Sequence, residues 1–289
     1  MNLRSCSLIL PAAVLTACLG TGAARAEFTP PRPSPGASVS QILGTTNLTL
    51  AYSRPGVKGR VIWGGLVPYD STWRTGANEP TSLAVSDTVT ISGQMLPAGK
   101  YSILTIPRRG AWTVIFSGQK DLQGSTNYDP KFDVLRVTAT ADTTQPHEEW
   151  MWLGFTDLTP TSGSLTLRWQ RLRLALPITV DVNALVLASA RREITTAERD
   201  AWRNALRAAT WCFDNAVALD EGAKWLERSI AAQPNHANLS LKARWLMKDG
   251  RRAEAIATAK QAIAAGKAAT PPVDTAATER LMTEWSAKK

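Results

Sequence analysis

The sequence predicts a β-rich domain followed by a smaller helical domain. Apolar and polar residues alternate from about residue 39 to residue 182, as they do in half-buried strands. Gly, Pro, Asn and Asp separate these short runs, and after residue 183 the composition changes to Ala, Leu, Arg and Glu at helical spacing. We therefore expect an antiparallel β-sandwich or barrel over residues 39–183 and a small tetratricopeptide-like helical domain over residues 190–289.

The start of the chain has the pattern of a cleaved secretory signal peptide, residues 1–26. A short basic start is followed by an uncharged stretch and by the small-x-small sequence Ala24–Arg25–Ala26. Leu15–Thr16–Ala17–Cys18 also resembles a lipoprotein box, in which Cys18 would be lipidated and would tether the protein to a membrane. The apolar stretch is too short for a transmembrane span. We expect a periplasmic or secreted protein, with a lipid-anchored envelope protein as the alternative.

Composition argues against several classes of partner and cofactor. The chain has 289 residues and a net charge of +9, and removal of residues 1–26 leaves 31 basic and 24 acidic residues, a net charge of +7. No basic run exceeds two residues, which does not favour nucleic-acid binding. The mature chain keeps one cysteine, Cys212, and two distant histidines, His147 and His236, which cannot supply a disulfide framework or a zinc site. We expect no metal and no cofactor.

A Pro-rich linker, residues 27–38, precedes the strands. Period-two alternation predicts strands near residues 47–53, 88–93, 101–107, 112–117, 134–141, 149–155, 164–170 and 172–180. The regular spacing of short strands with turns between them is typical of sandwiches and barrels.

Helical spacing predicts helices near residues 194–213, 220–232, 236–248, 251–265 and 275–286. Ala243, Ala255 and Ala259 are small residues at positions where a tetratricopeptide unit packs its two helices closely, and Gly250 falls at the turn between them. An ordinary Ala-rich helical bundle is the alternative.

The residues between Arg54 and Glu79 combine guanidinium, aromatic and amide side chains within a loop that is rich in Gly and Pro. Arginine binds carboxylates and hydroxyls, and tryptophan stacks on sugar rings or cations. This combination predicts a polar ligand site for an envelope glycan, a peptide or a protein. The candidate binding residues are Arg54, Lys58, Arg60, Tyr69, Trp73, Arg74, Asn78 and Glu79.

Other interpretations of this loop stay open. Asp70 or Glu79 could pair with an arginine and tie the loop, so that the loop stabilises a structural scaffold and binds nothing. A hydrolase acting on envelope glycans could use Glu79 with Asp70 or Asp129 as its acid–base pair. Neither histidine lies near a nucleophile motif, so catalytic residues are not identified and a non-enzymatic binding module is favoured. Trp150, Trp152 and Trp169 fit either core packing or a sugar-stacking surface, because alternate residues of a strand share a face.

Several motifs resemble those of a bacterial family of unknown function, DUF2911. They are Tyr52–Ser53–Arg54–Pro55, Lys58–Gly59–Arg60, Val67–Pro68–Tyr69 and Trp73–Arg74–Thr75–Gly76–Ala77–Asn78, followed by the stretch from Leu96 to Pro107. The resemblance covers about residues 34–182, and the helical tail is also similar to tails in the family. It implies an exported β-rich domain and no established activity.

Overall fold

The computed structural model of the chain describes residues 30–196 and 201–287. The predicted signal peptide, with Cys18, and the first residues of the predicted linker lie outside the described residues. Within the described residues, no helix is long and apolar enough to cross a membrane. Residues 34–289 form one compact unit.

The described part of the chain contains eleven strands in two antiparallel sheets. The strands are β1 (Gly36–Leu43), β2 (Thr46–Ser53), β3 (Ser82–Val85), β4 (Val89–Ile91), β5 (Gln94–Leu96), β6 (Gly99–Ile106), β7 (Ala111–Ser117), β8 (Asp133–Thr140), β9 (Glu148–Thr156), β10 (Ser162–Gln170) and β11 (Leu172–Thr179). The six-stranded sheet has the order β1-β2-β3-β6-β7-β8, and the five-stranded sheet has the order β5-β4-β11-β10-β9. The predicted antiparallel β architecture is confirmed.

The main hydrophobic core lies between the two sheets. Leu48 and Leu50 of β2 are buried, whereas Asn47 and Ala51 on either side of this pair are exposed. Leu165 and Leu167 of β10 belong to the same buried cluster from the opposite sheet. Because side chains of a strand alternate between its faces, each sheet buries one face and leaves the other face for solvent, loops or ligands.

Six helices follow in the described residues, and the predicted helical region is confirmed. They are α1 (Val182–Thr196), α2 (Ala201–Asn215), α3 (Leu219–Ala232), α4 (His236–Lys248), α5 (Arg252–Ala268) and α6 (Ala276–Ala287). Helices α2 and α3 form one hairpin and α4 and α5 form another. Ala243 on α4 and Ala255 and Ala259 on α5 are fully buried, because side chains this small let the two helices approach closely.

A buried polar network joins the two helical hairpins. Nδ2 of Asn238 donates to Oγ of Ser229 (3.1 Å), and Oγ of Ser229 donates to the backbone carbonyl of Trp202 (2.8 Å). Asn238 also completes a capping box with Asn235 at the start of α4. Both Asn238 and Ser229 are fully buried, so their hydrogen bonds satisfy polar groups that would otherwise destabilise this packing.

Candidate functional site

The chain leaves β2 and runs along the edge of the opposite sheet, in a segment that we call the edge clip (residues 54–58). The backbone N–H of Val57 donates to the carbonyl of Glu149 (2.8 Å), and the N–H of Met151 donates to the carbonyl of Pro55 (3.0 Å). The edge clip therefore pairs with β9, the edge strand of the five-stranded sheet. Covering an edge strand satisfies its backbone groups and blocks pairing with other chains.

Two of the predicted binding arginines use their donors within this part of the fold. Nε of Arg54 donates to the carbonyl of Met151 (2.8 Å). Arg60 donates from Nη2 to the carbonyl of Gly56 (2.6 Å) and from Nε to the carbonyl of Val57 (3.1 Å). The charge-assisted bond from Arg54 holds the edge clip against β9, and the bonds from Arg60 fold the following residues back onto the edge clip.

Trp73 of the predicted site belongs to a cluster of four tryptophans that lies between the sheets. The ring centroid of Trp63 lies 4.9 Å from that of Trp112, 5.7 Å from that of Trp169 and 5.9 Å from that of Trp73. Trp73 and Trp169 stack with an interplanar angle of 20°. Nε1 of Trp73 donates to the carbonyl of Gly76 (3.1 Å). Packing of this kind stabilises the sandwich.

The remaining predicted residues lie apart from one another. Arg74 is half-buried, and its Nη1 lies 2.8 Å from the point that a Cβ on Gly124 would occupy. Tyr69 packs against Arg109, whose Cζ is 5.2 Å from the ring centroid. Nδ2 of Asn78 donates to Oγ of Ser53 (3.1 Å) and to the carbonyl of Ser34 (3.0 Å), and Glu79 is exposed. The structure brings Arg54, Lys58 and Arg60 together around β9, and ligand binding by the full set of eight stays a prediction.

Two of the carboxylates considered for catalysis, Asp70 and Asp129, each lie beside a cation. Oδ1 of Asp70 is 3.2 Å from Nε of Arg108, and Oδ2 of Asp129 is 2.6 Å from Nζ of Lys131. The hydrogen bond from the Lys131 side chain is the largest cause that lowers the pKa of Asp129, which favours its ionised form over the protonated form that a general acid needs. The hydrolase interpretation stays a prediction.

Trp150 and Trp152 are not among the eight predicted binding residues. The structure places both on the outer face of the five-stranded sheet. Met151 and Leu153 of the same strand point into the core, so Trp150 and Trp152 point away from it. Trp150 is 40% exposed, and Trp152 is half-buried. Alternation along the strand shows that Trp150 and Trp152 share one face and that Met151 and Leu153 share the other. Alternation alone cannot show which of the two faces is the core.

Both indole rings lie against glycines. A Cβ on Gly56 of the edge clip would lie 3.3 Å from Cζ3 of Trp150. A Cβ on Gly154 would overlap the six-membered ring of Trp152. Because no other residue lacks a Cβ, Trp152 can approach the backbone this closely only at a glycine, and Gly56 gives Trp150 room for a close contact.

Cations accompany the two rings, and we call Lys58, Trp150, Trp152 and Arg168 the tryptophan face. Cζ of Arg168 lies 4.2 Å from the ring centroid of Trp152, and Nζ of Lys58 lies 5.7 Å from that of Trp150. Nε of Arg168 is 3.4 Å from Oε1 of Glu148, an ion pair without hydrogen-bond geometry. The face therefore combines flat apolar rings with charged hydrogen-bonding groups at the surface.

The carboxylate of Glu149 fastens the edge clip beside this face. The pKa of Glu149 lies below its usual value, mainly because the backbone N–H of Lys58 donates to Oε1 (2.8 Å). His147, 3.4 Å from Oε2, acts in the same direction, whereas burial acts in the opposite one. The carboxylate therefore contributes stability above its unfolded-state pKa and loses that contribution as acid protonates it.

Replacing Glu149 with glutamine is expected to reduce the acid sensitivity of the fold. As the pH falls from about 5 to about 3, the wild type loses the stabilisation that ionised Glu149 provides, whereas the variant has no such charge to lose. The thermal unfolding midpoint at pH 7 and at pH 3 measures this acid sensitivity. The fall of the midpoint from pH 7 to pH 3 should be smaller for Glu149→Gln than for the wild type. Glu284→Gln, on exposed α6 surface, should behave as the wild type. Equal acid sensitivity of Glu149→Gln and wild type would contradict the assigned role.

The described histidines and carboxylates do not converge on a metal site. Within residues 30–196 and 201–287, no three His, Cys, Asp or Glu side chains group closely enough to hold a metal ion. Nδ1 of His236 lies 3.0 Å from the carbonyl of Ala262, so it serves the packing of α4 on α5. Cys212 is a buried free cysteine, as expected from the sequence.

Comparison with known proteins identifies the family. The profile of a family described as "Protein of unknown function (DUF2911)" matches residues 34–178, which include the edge clip, the tryptophan cluster and the tryptophan face. Neither a search of curated proteins nor a search of solved structures found a match to the chain. The matched residues span the whole β-sandwich except its last residue, and on this match the chain belongs to the DUF2911 family.

Proposed function

We propose that the protein is an exported, non-enzymatic envelope protein whose β-sandwich binds glycan chains through the tryptophan face. The observation that carries the proposal is the outward ring of Trp150, which is 40% exposed on a strand whose alternate residues fill the core. Aromatic rings grouped with charged hydrogen-bonding groups on a rigid surface are typical of ligand sites.

The chemistry of the tryptophan face suits a sugar. A pyranose ring has an apolar face of C–H groups that can cover an indole, and hydroxyl groups around its rim. The ammonium of Lys58 and the carboxylate of Glu149 flank Trp150 and can donate to and accept from those hydroxyls. Their charged groups make hydrogen bonds stronger than those between neutral groups.

The rigidity of the face supports the same proposal. Trp150 lies against Gly56 of the edge clip, and the edge clip is hydrogen-bonded to β9 on both sides of Trp150. Arg54 strengthens this attachment through its bond to the carbonyl of Met151 in β9, and Arg60 fixes the edge clip through its bond to the carbonyl of Gly56. A ring held in place before binding loses little conformational entropy when the ligand arrives, which increases affinity. In this proposal the predicted arginines prepare the surface and Lys58 contacts the ligand.

Replacing Trp150 with alanine is expected to weaken glycan binding at least tenfold. The variant loses the stacking surface but leaves the core and the edge clip in place, so its fold should persist. Isothermal titration with soluble peptidoglycan fragments, chitooligosaccharides and cellooligosaccharides measures the effect.

Phe132→Ala is the matched control. Phe132 is 41% exposed and also has a lysine beside its ring, with Nζ of Lys131 at 4.9 Å from the centroid, but it lies before β8 on the other sheet. Its replacement should leave glycan binding unchanged. Binding of none of these glycans by the wild type, or equal binding by Trp150→Ala, would refute the proposal.

A structural scaffold is the second candidate, and the use of the arginine donors favours it. Arg54, Arg60 and Asn78 all donate to backbone carbonyls of this fold. If the loop between Arg54 and Glu79 only joins the two sheets, Arg54→Ala lowers the unfolding free energy while no glycan binds to the wild type. The glycan titration therefore separates the two candidates.

A further inference from the structure

A hollow lies where the β-sandwich meets the first two helices, and none of its lining residues belongs to the tryptophan face. This junction cavity has a volume of about 540 Å³, within the usual range for small-molecule sites. Its walls come from the turns after β1 and β3 and from α1 and α2. A site between two packed parts of a chain is a common location for ligands.

Half of the residues that line the junction cavity are apolar, and the other half are polar or charged. Leu185 and Val186 of α1 and Ala208 and Trp211 of α2 line it. The indole N–H of Trp211 donates to Oδ1 of Asn183 (3.1 Å), which holds this ring in place. Such walls favour a ligand with an apolar body.

Two groups of opposite charge stand on different walls. Asp87 follows β3, and its Oδ2 accepts from Oγ of Ser86 (2.7 Å). Arg207 projects from α2 and makes no hydrogen bond or ion pair with any residue that the structure describes. Arg192 and Glu193 also line the cavity, but they lie 3.4 Å from each other and offset each other's charge.

We infer that the junction cavity binds a short peptide with apolar side chains and free termini. The carboxylate of Asp87 receives the terminal ammonium, and the guanidinium of Arg207 receives the terminal carboxylate, which it can hold with two parallel hydrogen bonds. The apolar walls receive the side chains. This inference is independent of glycan binding, because it uses no residue of the tryptophan face.

The two charges allow a reciprocal test with the dipeptide Leu-Leu as the probe. Isothermal titration of the full chain compares Leu-Leu with acetyl-Leu-Leu, which lacks the ammonium, and with Leu-Leu amide, which lacks the carboxylate. The wild type is expected to bind Leu-Leu at least tenfold more tightly than either capped form. Tri- and tetraleucine extend the probe by about 3.5 Å per residue and identify the best length.

Each charge variant should lose one preference and keep the other. Arg207→Gln should bind Leu-Leu and its amide equally while still preferring Leu-Leu to the acetyl form. Asp87→Asn should show the opposite pattern. Arg203→Gln, one turn earlier on α2 and outside the cavity lining, should keep the wild-type pattern.

Three results would overturn the inference. They are no binding of any probe to the wild type, equal binding of free and capped peptides, and loss of both preferences in a single charge variant. Both substituted residues lie at the surface of the cavity, and circular dichroism confirms that each variant is folded before titration.

Discussion

Trp169→Ala is expected to lower the free energy of unfolding by about 3–5 kcal/mol, the usual cost of deleting a large buried aromatic side chain. Trp169 is 1% exposed and comes from β10 of the five-stranded sheet. It stacks on Trp73, which forms a β-bridge with Thr105 of the six-stranded sheet. Removing the ring therefore leaves a cavity between the two sheets, where neighbouring rings cannot easily close the space.

Equilibrium urea unfolding followed by circular dichroism measures this loss. Trp169→Phe should cost less than Trp169→Ala, because it keeps most of the packing and removes an indole N–H that is buried without an acceptor among the described residues. Trp150→Ala is the matched control, since Trp150 is exposed on the neighbouring strand, and it should cost less than about 1 kcal/mol. A loss from Trp169→Ala no larger than that of Trp150→Ala would contradict the role of the tryptophan cluster.

Gly44→Ala is expected to lower the free energy of unfolding by about 2–4 kcal/mol through two separate effects. Gly44 has φ +58° in the tight turn between β1 and β2, a conformation that costs a residue with a Cβ about 1–2 kcal/mol. A Cβ at this position would also overlap Cγ2 of Val182, the first residue of α1. In the variant, the turn between β1 and β2 and the start of α1 must therefore move apart where the sandwich packs on the helices.

Two further variants separate the backbone effect from the contact. Gly93→Ala is the matched control, because Gly93 also has positive φ, +82°, but no described atom beyond its chain neighbours lies within 4 Å of an added Cβ. It should show only the backbone cost. Val182→Ala removes the overlapping methyl group, so the double variant Gly44→Ala/Val182→Ala should be more stable than the sum of the single losses predicts. Urea unfolding of the four proteins gives the coupling energy, and additive losses would show that the turn and α1 are not in close contact.

The order of the secondary structure could be read from local patterns. Period-two alternation identified β2, β4 and the strands from β6 onwards, because each of these strands buries one face. The pattern did not single out β1 or β3. β1 begins at Gly36, next to the Pro-rich stretch, and β3 has only four residues, too few for alternation to stand out.

The candidate site was only partly predictable. Lys58 and the arginines around it were singled out for their chemistry, but the acceptors of Arg54 and Arg60 are backbone carbonyls, which every residue has. A sequence cannot show which carbonyl a guanidinium will meet. The same limitation applied to Trp150 and Trp169, which have similar strand contexts, although the first is exposed and the second is in the core.

Alternation, turn residues and helical spacing are properties of neighbouring residues, and they were enough to establish a β domain followed by helices. The functional surfaces depend on residues far apart in the chain: Lys58 and Glu149 are separated by 91 positions, and Arg54 and Met151 by 97. Folding brings such residues together through the pairing and packing of whole sheets. The edge clip, the tryptophan face and the junction cavity therefore emerge only when the two sheets and the helices are packed.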